Sequence, residues 1–226
     1  MPSTLRNLWQ KVYSWLDERI GFEDLNKNLL DRPEPHGNWW NTLGSASLFL
    51  FIMQALTGIF LTVYYTPSPD HAYDSILYIM NEVQFGWLVR GIHHWGASLM
   101  VLVVFIHMLR TFVTASYKYP RELTWLIGIG LLLLTVGMGF TGYLLPWHQM
   151  AYWATTVGTQ IAGSVPFLGD FILKALRGGP DLSALTLQRF YAAHIWILPA
   201  LLVALIGVHL YLIIRHGESH WPDKED

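Results

Sequence analysis

The sequence predicts an all-α, polytopic membrane protein: a four-helix bundle with an amphipathic surface helix at its N-terminus and short interfacial helices between its third and fourth spans. Three observations predict it. The 226 residues are 53% hydrophobic and only 13% charged, the balance of a chain that meets lipid over much of its surface. Four apolar stretches, about 40–65, 87–114, 123–145 and 188–214, are each long enough to cross the hydrocarbon core at about 1.5 Å per residue. Proline and most charges collect between these stretches. The chain contains no cysteine, which excludes disulfides, thiolate metal sites, iron–sulfur ligation and thioether-linked groups. A net charge of −2 makes no electrostatic case for nucleic acid as a partner.

Taken in order, residues 1–38 form a surface segment. Leu5, Leu8, Trp9, Val12, Trp15, Leu16 and Ile20 recur at intervals of three and four, with Arg6, Lys11, Asp17, Glu18 and Arg19 largely between them. That pattern suits a helix lying in the membrane interface. It lacks the short apolar run and small-residue cleavage site of a secretory signal, so it is expected to be retained. Pro33 and Pro35 break it before the membrane domain, residues 39–216. The first span has Trp39 and Trp40 at one end and Tyr64 and Tyr65 at the other, as interfacial aromatics do.

Residues 66–86 hold Pro67, Pro69, Asp70, Asp74 and Glu82 and are expected to form a loop. After the second span, a short connection with Lys118, Pro120, Arg121 and Glu122 leads to the third, which ends at Tyr143, Pro146, Trp147 and His148. Residues 150–186 are moderately apolar but broken by Gly163, Pro166, Gly169, Gly178, Gly179 and Pro180. They are expected to be interfacial helices packed on one face of the bundle. After the fourth span a polar tail, 217–226, closes the chain.

Four spans place both termini on one side. The ends and the connection near residue 118 hold ten Lys or Arg, namely Arg6, Lys11, Arg19, Lys27, Arg32, Arg110, Lys118, Arg121, Arg215 and Lys224. Arg90, Lys174, Arg177 and Arg189 lie opposite, and this bias puts the termini on the cytoplasmic, negative side of a bacterial cytoplasmic or thylakoid-like membrane. The second and fourth spans then run in the same direction.

Those two spans carry the chemistry. His93 and His107 are fourteen residues apart, about 40° short of four helical turns and roughly 21 Å along the axis. His194 and His209 are fifteen apart, about 60° past four turns and roughly 22 Å. Imidazole within hydrocarbon is costly without a partner, so each is a candidate functional group rather than a satisfied polar residue. Two parallel helices with matching pairs present facing His/His sets at two depths: His93 with His194 near the outer side, His107 with His209 near the inner. That is the ligand set of two stacked, six-coordinate haems. His94 points about 100° away from His93 and is a neighbour rather than a ligand, suited to a hydrogen bond or a propionate contact.

Gly44 and Gly58 in the first span, and Gly128 and Gly142 in the third, repeat the fourteen-residue interval. They are either small residues for close helix packing or gaps for a porphyrin edge. Arg90 and Arg110 flank the second span, where a guanidinium can pair with haem propionates or simply anchor the helix. The stretch from Gly142 to Gln149 is either a helix stop or part of a ligand site.

With these residues in view, the chain resembles cytochrome b6, the short cytochrome b of b6f complexes, and the menaquinol-oxidising cytochrome b of Gram-positive bacteria. The resemblance covers nearly the whole chain and is carried by Lys11 to Trp15, Pro120 to Trp125, Thr141 to Trp147 and Leu187 to Tyr191, and by the fifteen-residue interval in the fourth span. It implies two non-covalent haem b groups, the lower-potential one on His93 and His194 and the higher-potential one on His107 and His209. It implies quinol as substrate, with Tyr143, Pro146, Trp147 and the 150–180 segment forming part of a quinol-oxidation pocket. By the same resemblance, Arg215 and the N-terminal helix are expected to belong to a quinone region on the negative side.

The implied partners are a Rieske iron–sulfur protein, a small membrane subunit supplying the remaining cytochrome b helices, and a c-type cytochrome or similar acceptor, in a homodimeric complex. In that family a cysteine before Leu43 tethers an additional haem c; here the position is Thr42, so no thioether can form. The plant-type Pro-Trp-Asp-Gln reads Pro146, Trp147, His148, Gln149, which raises the hypothesis that His148, an imidazole able to take up and release a proton, takes part in proton exit. Two other functions compete: a dihaem membrane anchor linking a peripheral dehydrogenase to quinone, and a haem-free transporter or scaffold.

Overall fold

The structure, a computed structural model, describes residues 3–20 and 39–217; the proline-bearing stretch 31–35 and the tail beyond Gly217 lie outside the described residues. Every element among them is helical. Helix α1, Ser3–Ile20, forms one unit and the remainder of the described chain another. Along α1, Leu8, Trp9, Val12 and Trp15 are all exposed, the apolar face expected of an interfacial helix.

The second unit begins with a single 3-10 turn, Trp39–Thr42, that runs into α2, Leu43–Tyr64. Then come α3 (Ala72–Asn81), α4 (Gly86–Val113), α5 (Glu122–Leu144), α6 (Gln149–Gly163) and α7 (Gly169–Arg177). Last is α8, which spans Ala184–His216 and starts from a capping box of Ser183 and Thr186. Helices α2 (with its leading turn), α4, α5 and α8 are long and apolar enough to cross a membrane, and the chain is an integral membrane protein. Their lipid-facing surfaces remain apolar, with Leu56, Ile59, Phe105, Leu133 and Val203 more than half exposed.

Packing leaves the middle of this bundle open. Helix α2 lies against α4, and α5 lies against both α4 and α8. The two histidine helices, α4 and α8, face each other across the centre without close backbone packing. A tighter core sits at one end, where α3, α6, α7 and the start of α8 cap the bundle. Ala72, Leu144, Leu187 and Phe190 are buried there, with Tyr65, Phe140 and Trp147 packed around them. Helices α6 and α7 match the expected interfacial helices.

Two elements differ from expectation. Residues 66–86 are not simply a loop, because α3 occupies their centre. Its Ala72 and Ile79 are buried at a helical spacing of seven, and Asp74 sits in its first turn, where the helix dipole favours an anion. The prolines and glycine at its margins hide a signal only ten residues long. Gly86 closes the segment because a Cβ there would lie 2.0 Å from the Ile79 carbonyl oxygen. The second difference lies in α8, where Ala193–Ile197 is a π-helical turn.

Arg177, counted in the sequence only as an outer charge, is buried at 5% exposure. Its Nε donates to Thr159 Oγ1 at 2.8 Å, and its two terminal nitrogens donate to the carbonyls of Pro180 at 2.8 Å and Thr156 at 2.9 Å. Thr186 Oγ1 in turn donates to the Arg177 carbonyl at 2.6 Å, so one residue, through its side chain and its backbone, joins α6, α7 and α8. Arg177→Met strands several buried acceptors, each worth about 1–3 kcal/mol. The thermal midpoint of the purified protein, followed by far-ultraviolet circular dichroism, is expected to fall by several degrees. Arg177→Lys is not expected to restore it, because one ammonium cannot address three diverging acceptors.

Candidate functional site

The four histidines are brought into two facing pairs. At the capped end, the rings of His93 on α4 and His194 on α8 have centroids 6.3 Å apart and planes inclined at 78°. Two metal–imidazole bonds of about 2 Å each would place ring centroids at roughly this separation. Toward the other end, His107 and His209 line one cavity of about 370 Å³. Leu48, Met100, Val104, Leu131 and Leu202 make its walls apolar, and Asn41, Arg110, Ser116 and Arg121 make one end polar.

Each ring of the first pair has a threonine beside its Nδ1. Thr57 Oγ1 donates to the Met53 carbonyl and Thr141 Oγ1 to the Gly137 carbonyl, which commits both hydroxyl protons to the helix backbone. Thr57 Oγ1 lies 2.9 Å from His93 Nδ1, and Thr141 Oγ1 lies 3.1 Å from His194 Nδ1. With the hydroxyl protons so placed, each Nδ1–H donates to a hydroxyl oxygen. The tautomer this fixes leaves Nε2 bare, the state a metal needs.

Each glycine of the repeated interval abuts one histidine. A Cβ added at Gly44 would lie 3.4 Å from His107 Cε1, at Gly58 3.2 Å from His93 Cε1, at Gly128 3.6 Å from His209 Cε1, and at Gly142 2.7 Å from His194 Cε1. The clearance is thus for the imidazole edge. Arg110 donates to Asn41 Oδ1 at the polar end of the cavity, whereas Arg90 lies one turn before His93 on α4. Arg121 reaches the carbonyls of His216 and Gly217 at 3.4 and 3.3 Å, capping the end of α8 beside the same cavity.

Comparison with known proteins turns on one match: a family model described as cytochrome b/b6/petB covers residues 30–217. The chain belongs to the cytochrome b/b6 family. It is 44% identical over 210 residues to a cytochrome b6 of Gloeobacter violaceus, covering 92% of this chain and 98% of the relative. It is 43% identical over 218 residues to a menaquinol:cytochrome c reductase cytochrome b subunit of Geobacillus thermodenitrificans, covering 92% and 97% respectively. A solved chain described as a hyperthermophilic respiratory Complex III superposes with a TM-score of 0.85 at 33% identity. That match takes in 94% of this chain but only 58% of the other.

Cytochrome b/b6 membership implies haem b, and the residues present fit it. Paired imidazoles, walls in which glycines leave room for each ring, and a cavity that is apolar along its sides and cationic at one end form one consistent donor set. His94 is exposed and stacks edge-on against Trp95, away from the pairs. Arg215 is exposed on the last turn of α8 and does not line the cavity.

At the capped end of this cytochrome b/b6 chain, Tyr143 sits in the last turn of α5, and Pro146, Trp147 and His148 lie on the tight connection that follows to α6. Trp147 takes a left-handed backbone, φ 49°, and Tyr65 Oη donates at 2.7 Å to the Leu145 carbonyl left over at the end of α5. His148 is the N-cap of α6: its Nδ1 accepts the Ala151 N–H at 3.1 Å, and its ring meets Tyr73 edge-on.

Thr57, Thr141, Asn41 and Arg121 were not singled out in the sequence. The signal for the first two was present: Thr57–Gly58 and Thr141–Gly142 repeat one dipeptide at one histidine level.

Proposed function

We propose that this chain is the dihaem cytochrome b subunit of a Rieske/cytochrome b quinol oxidoreductase. It carries electrons from quinol oxidation on the positive side to quinone on the negative side, coupled to proton translocation. The observation that carries the reading is the 6.3 Å separation of the His93 and His194 rings across an open bundle centre. A haem held by two histidines is a coordinatively saturated one-electron carrier. His93 and His194 hold the outer group, and His107 and His209 the inner. Thr57 and Thr141 fix the ligand tautomer, and Arg90 and Arg110 pair with propionates. The apolar walls exclude water, and both termini face the negative side.

With no cysteine available, neither group is tethered. The partners are a Rieske protein, a small membrane subunit and a c-type or similar acceptor, in a homodimeric complex. Tyr143, Pro146 and Trp147 form part of the quinol pocket, and Arg215 belongs to the quinone region opposite. The complex, purified through a tag on this chain, is expected to contain a Rieske subunit and to reduce a c-type cytochrome with quinol. Co-purification of a peripheral dehydrogenase without a Rieske protein would instead make the chain a dihaem anchor.

His148 separates two roles. As an N-cap it is replaceable by Asn, whereas His148→Ala lowers stability by about 1 kcal/mol. If His148 also serves proton exit, His148→Asn shifts the pH profile of quinol turnover while leaving the thermal midpoint unchanged. An unaltered profile confines it to capping.

A further inference from the structure

Three of the four repeated intervals in the bundle are fourteen residues: Gly44 to Gly58, His93 to His107 and Gly128 to Gly142. The fourth, His194 to His209, is fifteen. In a regular helix the extra residue would swing one ring by about 100° relative to the other. Yet each α8 histidine lies against its own glycine of α5, Gly142 and Gly128, at the same two levels as the pairs on α2 and α4. The π turn, Ala193–Ile197, lies inside the long interval and contains His194 itself. Its signature is the Leu198 N–H, which bonds the Ala193 carbonyl five residues back instead of four. Such a turn adds one residue without changing the register on either side.

Pro199 explains where the turn sits. It has no N–H to donate, and its ring would press on the Ile195 carbonyl in a regular helix. A widened turn just before it relieves that contact and places the extra residue beside the ligand rather than in the middle of the span.

We propose that the π turn and Pro199 are positioning elements for His194: they absorb the surplus residue of the fifteen-residue interval and set the 78° inclination of its ring against that of His93. This rests on the haem-ligand reading above. The inclination matters because low-spin ferric haems with near-perpendicular imidazole planes give strongly anisotropic paramagnetic resonance signals, and their potentials respond to ligand orientation. The device acts only on the outer group, since no π turn lies near His107 or His209.

The test uses the whole complex. Deleting Ile197 together with Pro199→Ala removes the surplus residue and the obstacle to a regular helix. Both haems are expected to remain. The largest g value of the outer haem and its midpoint potential are expected to shift, while those of the inner haem stay unchanged. Deleting Val103 from α4, which has no widened turn to absorb the loss, is expected to abolish haem binding at one level or both.

Loss of either haem from the Ile197 variant overturns the proposal, because a register-preserving deletion must leave both ligand pairs in place. An unshifted outer signal overturns it too, as does full haem retention after deletion of Val103. A wild-type complex with no haem on this chain would instead remove the ligand reading itself.

Discussion

Replacing His194 with alanine is expected to leave the purified complex with one haem b per copy of this chain in place of two. The ring it removes faces His93 at a centroid distance of 6.3 Å, and His94, the neighbouring histidine, is exposed and packed edge-on against Trp95. Changes to groups that merely orient a ligand cost about 10–100-fold in affinity or activity, so loss of a ligand should exceed that range. The inner pair lies roughly 20 Å along the helix axis, beyond the range at which substitutions usually interact, and its haem should keep its spectrum. Quinol-dependent reduction of the acceptor should fall to background in the same preparation. Retention of both haems would mean that His194 is a satisfied polar residue and not a ligand.

The four glycines give a graded result. In an exposed helix Gly→Ala is favourable by about 0.5–1 kcal/mol, and on that ground alone all four substitutions would stabilise the protein. Clearance reverses this at one position. At Gly142 the new Cβ would lie 2.7 Å from His194 Cε1, and the ring cannot retreat without breaking its bond to Thr141. Overpacking of this kind costs about 1–3 kcal/mol, more than the propensity gain. Gly142→Ala is therefore expected to lower outer-haem content and the thermal midpoint together. Gly58→Ala at 3.2 Å and Gly44→Ala at 3.4 Å should have smaller effects, and Gly128→Ala at 3.6 Å should be close to wild type. Equal effects at Gly142 and Gly128 would show that ring clearance is not what these positions provide.

Much of this was legible in the residues. Long apolar helices announce themselves by length and composition, and the fourteen-residue intervals place rings and glycines by arithmetic on a 3.6-residue turn. Short elements were not: α3 has ten residues between proline-rich and glycine-bearing margins, and its pattern is too brief to stand above its surroundings. Side-chain roles decided in three dimensions were also hidden. Arg177 and Arg121 read as loop charges, yet one is buried among carbonyls and the other caps α8 beside the inner cavity. The π turn left two traces, an interval one residue too long and a proline five residues after His194. Neither says which backbone bond is re-routed, because that choice belongs to the packed bundle and not to the local sequence.

The central claim is that four imidazoles on α4 and α8 hold two untethered haems. A pyridine haemochrome of the purified complex, with subunits separated and quantified, tests it most directly. The prediction is two haem b per copy of this chain and no haem remaining covalently attached to it after denaturing electrophoresis. A single haem b per chain, or none, would contradict the account.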